Sequence, residues 1–216
     1  MRFEIGRYDN FIFDCDGVIL DSNEVKTLAF MEVMNNESVL HRKEFIEYHI
    51  ENTGISRYKK FKYYYTKIKK INNYENELDK LLFDFSNLLK KNIIKCNLTK
   101  GALIFLETLK KNNKKIYMIS ASDEIELQEI IFKKKLKKYF KKIYGSPNDK
   151  IENIKKLKKI GLLTNKTVFF GDSYSDYKAA KYFNMDFVFL SDYSLMPIKK
   201  MNVKLINNFS SLDIVT

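Results

Sequence analysis

The chain has 216 residues, of which 45% are hydrophobic, and it carries a formal net charge of +12. This length and composition suit one α/β core with a smaller inserted domain, and they exclude wholesale disorder. The two cysteines imply no disulfide framework, no apolar run is long enough to span a membrane, and the N-terminus lacks a signal-peptide pattern. We therefore expect a cytoplasmic protein without a membrane partner.

The excess of lysine could serve nucleic-acid binding or simply cover solvated surfaces. In the densest run, residues 133–142, Leu136, Tyr139 and Phe140 recur at helical spacing. This pattern favours one solvated helix face over a nucleic-acid patch. A non-catalytic basic module that binds nucleic acid remains an alternative, and a salt-dependent gel shift would support it.

Several short apolar runs without polar alternation predict buried parallel strands, at residues 11–13, 116–119, 167–170 and 187–190. Helical patterns follow or separate them at 101–111, 124–132, 151–160 and 175–183, and a last short strand is predicted at 203–206. This alternation predicts an α/β fold with a doubly wound, Rossmann-like, mostly parallel sheet.

Residues 21–93 interrupt that alternation. They contain no convincing strand and instead show amphipathic stretches at 25–34, 44–50, 56–68 and 75–89. We therefore predict an all-helical cap domain at 21–93, inserted into a core domain formed by 1–20 and 94–216.

Small and acidic residues follow three of the predicted strands: Asp14 and Asp16 follow the first, Ser120 the second, and Asp172 and Asp176 the third. Ligands of open parallel sheets bind beyond the carboxyl ends of strands, so neighbouring strands would bring four carboxylates together. Such a cluster repels itself unless it takes up protons or a cation. Oxygen ligands without His or Cys favour Mg²⁺, and Mg²⁺ favours a phosphate ester as substrate.

The ordered motifs resemble those of the haloacid dehalogenase superfamily. Asp14-Cys15-Asp16-Gly17-Val18 resembles its first motif, Ser120 its second, Lys150 its third, and Gly171-Asp172-Ser173-x-x-Asp176 its fourth. The match covers nearly the whole chain, with the helical insertion at the place of the type 1 cap. It is closest to the branch of β-phosphoglucomutase and phosphoglycolate phosphatase.

The resemblance implies a phosphatase that works through an aspartyl-phosphate. Asp14 would be the nucleophile, and Asp16 would protonate the leaving group and then activate water. Ser120 and Lys150 would stabilise the transferring phosphoryl group. Asp14 and Asp172 would ligate Mg²⁺ by side chain and Asp16 by its backbone carbonyl, whereas Asp176 would act from the second layer of ligands.

The cap is expected to close over the site and contact the substrate, a small phosphorylated metabolite such as a sugar or polyol phosphate. The candidate binding residues are Gly54, Ser56, Arg57, Ala121 and Ser122. His49 could hydrogen-bond the substrate, but a position that merely covers the cap surface is favoured for it. The oligomeric state is left open between monomer and homodimer.

The main alternative within the same family is a β-phosphoglucomutase-like mutase, which returns the phosphate to a second sugar oxygen. A dehalogenase is disfavoured because that chemistry does not need Asp16. A phosphonate hydrolase would need a cap lysine that forms a Schiff base, and the sequence does not single one out.

Overall fold

The computed structural model describes residues 1–196 and 203–215. Its strands are β1 (Arg2–Glu4), β2 (Asn10–Phe13), β3 (Lys115–Asp123), β4 (Lys142–Ser146), β5 (Thr167–Gly171), β6 (Asp186–Leu190), β7 (Lys204–Ile206) and β8 (Asp213–Val215). Six of them form a parallel sheet in the order β4-β3-β2-β5-β6-β7, and β1 pairs with β8 separately. The progression of strands reverses beside β2, so a ligand crevice is expected at the carboxyl ends of β2 and β5.

The helices are α1 (Asn23–Val33), α2 (Val39–Glu51), α3 (Arg57–Tyr63), α4 (Glu75–Ile93), α5 (Ala102–Lys111), α6 (Glu124–Lys133), α7 (Lys150–Lys159) and α8 (Tyr174–Tyr182). A π-helical segment, Tyr64–Lys69, continues α3. Within the described residues, none of the helices combines the length and the apolar character that crossing a bilayer requires.

Both faces of the large sheet are covered by helices, which explains why its central strands are apolar throughout. Phe11 and Phe13 of β2 face a core that includes Phe105 of α5, whereas Ile12 faces the core formed with α7 and α8. Alternate residues of one strand therefore serve two separate cores, as the two-residue period of a strand requires.

Helices α1 to α4 form a cluster of their own, which we call the helical segment 23–93. Its centre is aromatic: Phe30, Phe45, Phe61 and Phe85 are all buried, and the rings of Phe30 and Phe85 lie 4.3 Å apart between centroids. These rings belong to the same continuous hydrophobic cluster as Phe11 and Phe13 of the sheet, so the segment is packed onto the core as well as within itself.

The predicted fold class is confirmed, and the predicted strands and helices fall on observed ones with small shifts in their ends. The interpretation of residues 133–142 as a single helix face is wrong. Helix α6 ends at Lys133, Lys135 adopts a left-handed φ of +59°, and β4 begins at Lys142. The apolar residues of this run are buried as expected, but a turn and a short 3₁₀ helix, Lys137–Tyr139, place them there instead of one α-helix.

Three strands had no counterpart in the predictions. β1 and β8 have only three residues each, too few to show a period. β4 is partly exposed and follows a lysine-rich run, so its sequence shows no clear strand pattern. Its pairing with β3 supplies its backbone hydrogen bonds.

Candidate functional site

The loop after β2 brings two aspartates to the carboxyl edge of the sheet. Gly17 turns this loop with φ +71°, and a Cβ atom at this position would lie 2.2 Å from Oδ2 of Asp172. Only glycine allows both this backbone conformation and so close an approach. The turn leads the chain into α1, which lies above the strand ends.

Three buried carboxylates meet at this edge. Asp14 follows β2, Asp172 follows the neighbouring strand β5, and Asp176 lies in the first turn of α8. Each offers an oxygen within 4.8 Å of the others. Ser173 caps α8, and its hydroxyl donates to Oδ2 of Asp176 at 2.5 Å, which fixes the orientation of that carboxylate.

Lys150 bridges two of these carboxylates. Its Nζ atom lies 2.7 Å from Oδ2 of Asp14 and 2.5 Å from Oδ1 of Asp176. Asp149 and Glu152 form a capping box that starts α7, which makes Lys150 its first residue. Burial alone would lower the pKa of Lys150, but the carboxylates of Asp14 and Asp176 outweigh burial and raise it, so the ammonium stays charged.

One ammonium does not neutralise three carboxylates. Burial, opposed by Lys150 and reinforced by Asp176, raises the pKa of Asp14 to about 7. Burial and the neighbouring Asp14 also raise the pKa of Asp172 well above its ordinary value. Asp14 and Asp172 therefore bind protons more readily than free aspartates do unless a further cation joins them, and an oxygen-only ligand set fits a hard divalent ion. Asp14, Asp172 and Asp176 are the residues that could hold it.

The side chain of Asp16 points away from this group. Its Oδ1 accepts a hydrogen bond from Ser22 at 2.6 Å, and its Oδ2 accepts from Ser122 at 2.9 Å and pairs with Lys26. Burial opposes ionisation, but the ammonium of Lys26 and these hydrogen bonds outweigh it and lower the pKa of Asp16. Three carboxylates therefore converge. The fourth, Asp16, was expected beside them, but its side chain forms contacts with a separate set of residues.

The end of β3 supplies hydroxyl groups to the same edge. Ser120 is buried, and its Oγ lies 3.1 Å from Oγ of Ser122. The backbone N–H of Ser122 donates to Oγ of Ser120 at 3.2 Å, which holds the two side chains in register. Ala121 and Ser122 line the cavity described next, whereas Ser120 is not among its lining residues.

A cavity of about 60 Å³ lies between the sheet edge and the helical segment 23–93. Asp14, Asp16 and Asp172 line its floor, and side chains from α1, α2, α3 and α4 close it from above. The cavity thus combines the reactive carboxylates with a roof that can contact a bound molecule and keep water out.

Two of the predicted binding residues, Gly54 and Ser56, have structural partners, and Gly54 joins the roof to the core. Gly54 adopts φ +77°, its carbonyl accepts from Oγ of Ser175 at 2.9 Å, and a Cβ atom there would lie 2.3 Å from two serine hydroxyls. Ser56 caps α3 by accepting from the N–H of Lys59. These roles are structural ones, and contact of either residue with substrate remains a prediction.

Arg57 lines the cavity, but its guanidinium already has partners. It forms an ion pair with Glu126 of α6, and its Nη1 donates to Oγ of Ser86 at 2.8 Å. The guanidinium also lies 4.9 Å from the centroid of the Phe85 ring. In this conformation Arg57 ties the helical segment to the core, and its contact with substrate remains a prediction.

Sequence reasoning missed several residues of the site. Lys26 and Asn23 lie at the start of α1, and Asn23 Nδ2 donates to Oδ2 of Asp172 at 2.6 Å. Their position directly after the loop that carries Asp14 and Asp16 is the sequence feature that could have identified them as site residues. His49 was expected at the surface, and that expectation is wrong: its ring is buried and lies 2.7 Å from Nζ of Lys60.

Comparison with known proteins identifies the family of this chain. Residues 11–190 match the family model described as haloacid dehalogenase-like hydrolase. A search of curated proteins found no match. Among solved structures, a predicted phosphoglycolate phosphatase from Haemophilus somnus superposes with a TM-score of 0.75 at 18% identity, covering 95% of this chain and 96% of that one.

Two further structures are similar. CbbY from Rhodobacter sphaeroides, solved in complex with phosphate, gives a TM-score of 0.74 at 13% identity, covering 96% of this chain and 97% of that one. A proposed β-phosphoglucomutase from Thermotoga maritima gives 0.63 at 18% identity, covering 92% and 94%. At these identities the similarity concerns the fold.

Proposed function

The chain belongs to the haloacid dehalogenase-like hydrolase family, and on that premise we propose that it is a magnesium-dependent phosphomonoester hydrolase. The observation that carries the proposal is the buried group of Asp14, Asp172 and Asp176 around a charged Lys150. Carboxylates held apart from water, with one ammonium among them, suit a site that binds a divalent cation and a phosphate together.

Asp14 is proposed as the nucleophile. Its Oδ1 accepts from the N–H of Cys15 at 2.6 Å and its Oδ2 from Lys150 at 2.7 Å, so the carboxylate is held in one orientation. One of its oxygens attacks phosphorus, the ester P–O bond breaks, and an aspartyl-phosphate forms. Mg²⁺, when bound, offsets the repulsion between the carboxylate and the phosphate dianion.

Asp16 is proposed as the acid and base of the reaction. As an acid it gives its proton to the alkoxide that leaves phosphorus, and as a base it takes a proton from the water that hydrolyses the aspartyl-phosphate. The charged contact with Lys26 favours the ionised form, which the second step uses; for the first step Asp16 must take up a proton before the alkoxide leaves. Ser120 and Lys150 are proposed to contact the transferring phosphoryl oxygens.

The substrate is proposed to be a small phosphorylated metabolite. A sugar or polyol phosphate agrees with the branch resemblance, and a cavity of about 60 Å³ favours the smaller members of that class. We propose further that residues 21–93 act as the cap, with Arg57, Gly54, Ser56, Ala121 and Ser122 near the leaving group. No nucleic-acid partner is proposed.

The decisive test is hydrolysis of p-nitrophenyl phosphate and a panel of phosphorylated metabolites, with and without Mg²⁺. Release of inorganic phosphate that requires the metal is the expected result. Absence of hydrolysis for every ester would refute the proposal. Product analysis with a sugar phosphate separates this function from that of a mutase, because a mutase yields an isomerised sugar phosphate instead of free phosphate.

A further inference from the structure

Lys60 is a buried cation that lines the cavity without a carboxylate partner. It lies on α3 with only 3% of its surface exposed. Among the described residues, the other cavity cations are paired, Lys26 with Asp16 and Arg57 with Glu126, whereas Lys60 forms no ion pair. Its Nζ lies 5.3 Å from the centroid of the Phe30 ring, but burial of an ammonium without a carboxylate partner still costs several kcal/mol, so its position needs an explanation.

The contacts of Lys60 leave one donor free for a ligand. Its Nζ lies 2.7 Å from Nδ1 of His49 and donates to the His49 carbonyl at 3.3 Å. Burial lowers the pKa of His49 to about 2, so the ring is neutral. The hydrogen bonds assign the ring proton to Nε2, which lies 3.0 Å from Oγ1 of Thr27, and Nδ1 is then an acceptor. An ammonium has three N–H groups, and His49 takes two.

A second polar group lacks a partner in the same cavity. Thr53 lines the cavity, is 9% exposed, and its Oγ1 makes no hydrogen bond within the described residues. Buried hydroxyls are normally satisfied, so this one is available to a bound molecule. Lys60 and Thr53 are both donors, and both belong to the helical segment 23–93 that roofs the cavity, whereas Asp14 belongs to the sheet edge.

We propose that Lys60 and Thr53 form a subsite for a second anionic group of the substrate, on the side of the leaving alcohol. The inference rests on the proposed phosphatase function. The phosphate lies at Asp14, and the second anion lies at the roof. Lys60 has one N–H left and Thr53 has one O–H, so the two donors match the two oxygens of a carboxylate, and the substrate is the phosphate ester of a short hydroxy acid.

The charge of Lys60 fits this role. Burial, reinforced by Lys26 and opposed by Asp16, lowers the pKa of Lys60 to about 7. A carboxylate placed beside it favours the ammonium form, so the substrate restores the charge that burial disfavours. An alcohol at the same place gives no such stabilisation, and the subsite therefore selects acids over alcohols.

The test compares matched esters that differ in a carboxylate. Phosphoglycolate is compared with 2-hydroxyethyl phosphate, and 3-phosphoglycerate with glycerol 3-phosphate, all with Mg²⁺. We expect kcat/KM for the acid to exceed that for the alcohol at least about tenfold in one pair, as one charged hydrogen bond provides. Propane-1,3-diyl bisphosphate tests the other anion, and its preference over both acids would overturn the assignment of a carboxylate.

Lys60→Met is expected to abolish most of this preference through the KM of the acid, and Thr53→Val to reduce it less. Lys60→Arg keeps the positive charge and is expected to retain part of the preference for the acid. Lys62→Met, an exposed lysine of the same helix, is the matched control and keeps the wild-type ratio. If Lys60→Met fails to fold, the acid-to-alcohol ratio of kcat/KM in Thr53→Val and in the wild type still tests the proposal.

Two kinds of failure are distinguishable. Hydrolysis of all esters with equal kcat/KM for acids and alcohols, or an unchanged ratio in Lys60→Met, would overturn the subsite and leave the phosphatase function intact. If neither the esters nor p-nitrophenyl phosphate release phosphate with Mg²⁺, the proposed function itself is wrong.

Discussion

Lys26, in the first turn of α1, forms an ion pair with Asp16 in the loop that follows β2, and both side chains are mostly buried. The same Nζ donates to Oγ of Ser122 at 2.6 Å, so one ammonium links the helical segment 23–93 to the ends of two strands. The charge and orientation of the proposed acid–base residue therefore depend on a lysine that no sequence motif marks.

Replacing Lys26 should impair the chemical step. In Lys26→Met, Asp16 loses its charged donor, its pKa rises, and Ser22 and Ser122 alone hold its orientation. We expect kcat to fall about tenfold or more, with a smaller change in KM. Lys26→Arg, which keeps the charge, should retain more activity. Steady-state kinetics with p-nitrophenyl phosphate measure this, and equal kcat for Lys26→Met and wild type would contradict it.

Asp14→Asn should abolish turnover and leave the fold intact. An amide cannot act as the nucleophile, so we expect kcat to fall at least about 10³-fold. Circular dichroism checks the fold, and Asp9→Asn, at an exposed aspartate of the same region, is the control that should stay active. Substantial Mg²⁺-dependent activity in Asp14→Asn would count against the mechanism.

Mg²⁺ should stabilise the protein in a pH-dependent manner. The pKa of Asp14 is raised from 3.8 to about 7, so the metal-free fold binds this proton more tightly than the unfolded chain does. Stability from this source is full below pH 4 and is lost as the pH rises towards 7.

A bound cation offsets that loss, so Mg²⁺ at about 100 times its Kd should raise the Tm by about 5–10 °C at pH 8 and by less at pH 5.5. Differential scanning calorimetry with EDTA and with Mg²⁺ measures both shifts. EDTA should also remove activity, and Mg²⁺ should restore it. An equal Tm shift at both pH values would contradict the linkage.

The Arg57–Glu126 pair should contribute to the attachment of the helical segment to the core. Both side chains are largely buried, so Arg57→Met or Glu126→Gln leaves an unpaired polar partner and should cost about 3 kcal/mol. In the double variant the losses should not add, with a coupling of about 0.5–3 kcal/mol. Urea denaturation of the four proteins measures this. If kcat/KM collapses in Arg57→Met alone, Arg57 contacts the substrate as well.

The acid-over-alcohol preference should fall as the pH rises above about 7. Lys60 loses its proton in this range, and kcat/KM reports the pKa of the free enzyme. The groups that face Lys60 are Lys26 of α1, His49 of α2 and Asp16 of the aspartate loop. Taking the ratio within a matched pair of esters cancels the titration of Asp14, which acts on both. A ratio independent of pH from 6 to 9 would contradict this role for Lys60.

The sequence alone determined the fold class and the edge of the sheet at which the site lies. Apolar runs without alternation indicated a covered parallel sheet, and such a sheet places Asp14, Ser120 and Asp172 at one edge because parallel strands end on the same side. These inferences needed only local patterns and one rule of topology.

The tertiary structure decided what surrounds those residues. Whether Asp16 joins the carboxylate group or pairs with Lys26, whether Arg57 is free or bound to Glu126, and whether Lys60 is buried all depend on how the helical segment packs on the sheet. In a chain with 39 basic residues, composition cannot show which lysines lose water. The folded structure shows which lysines are buried, and burial sets both the charge of a group and the partners that the group can reach.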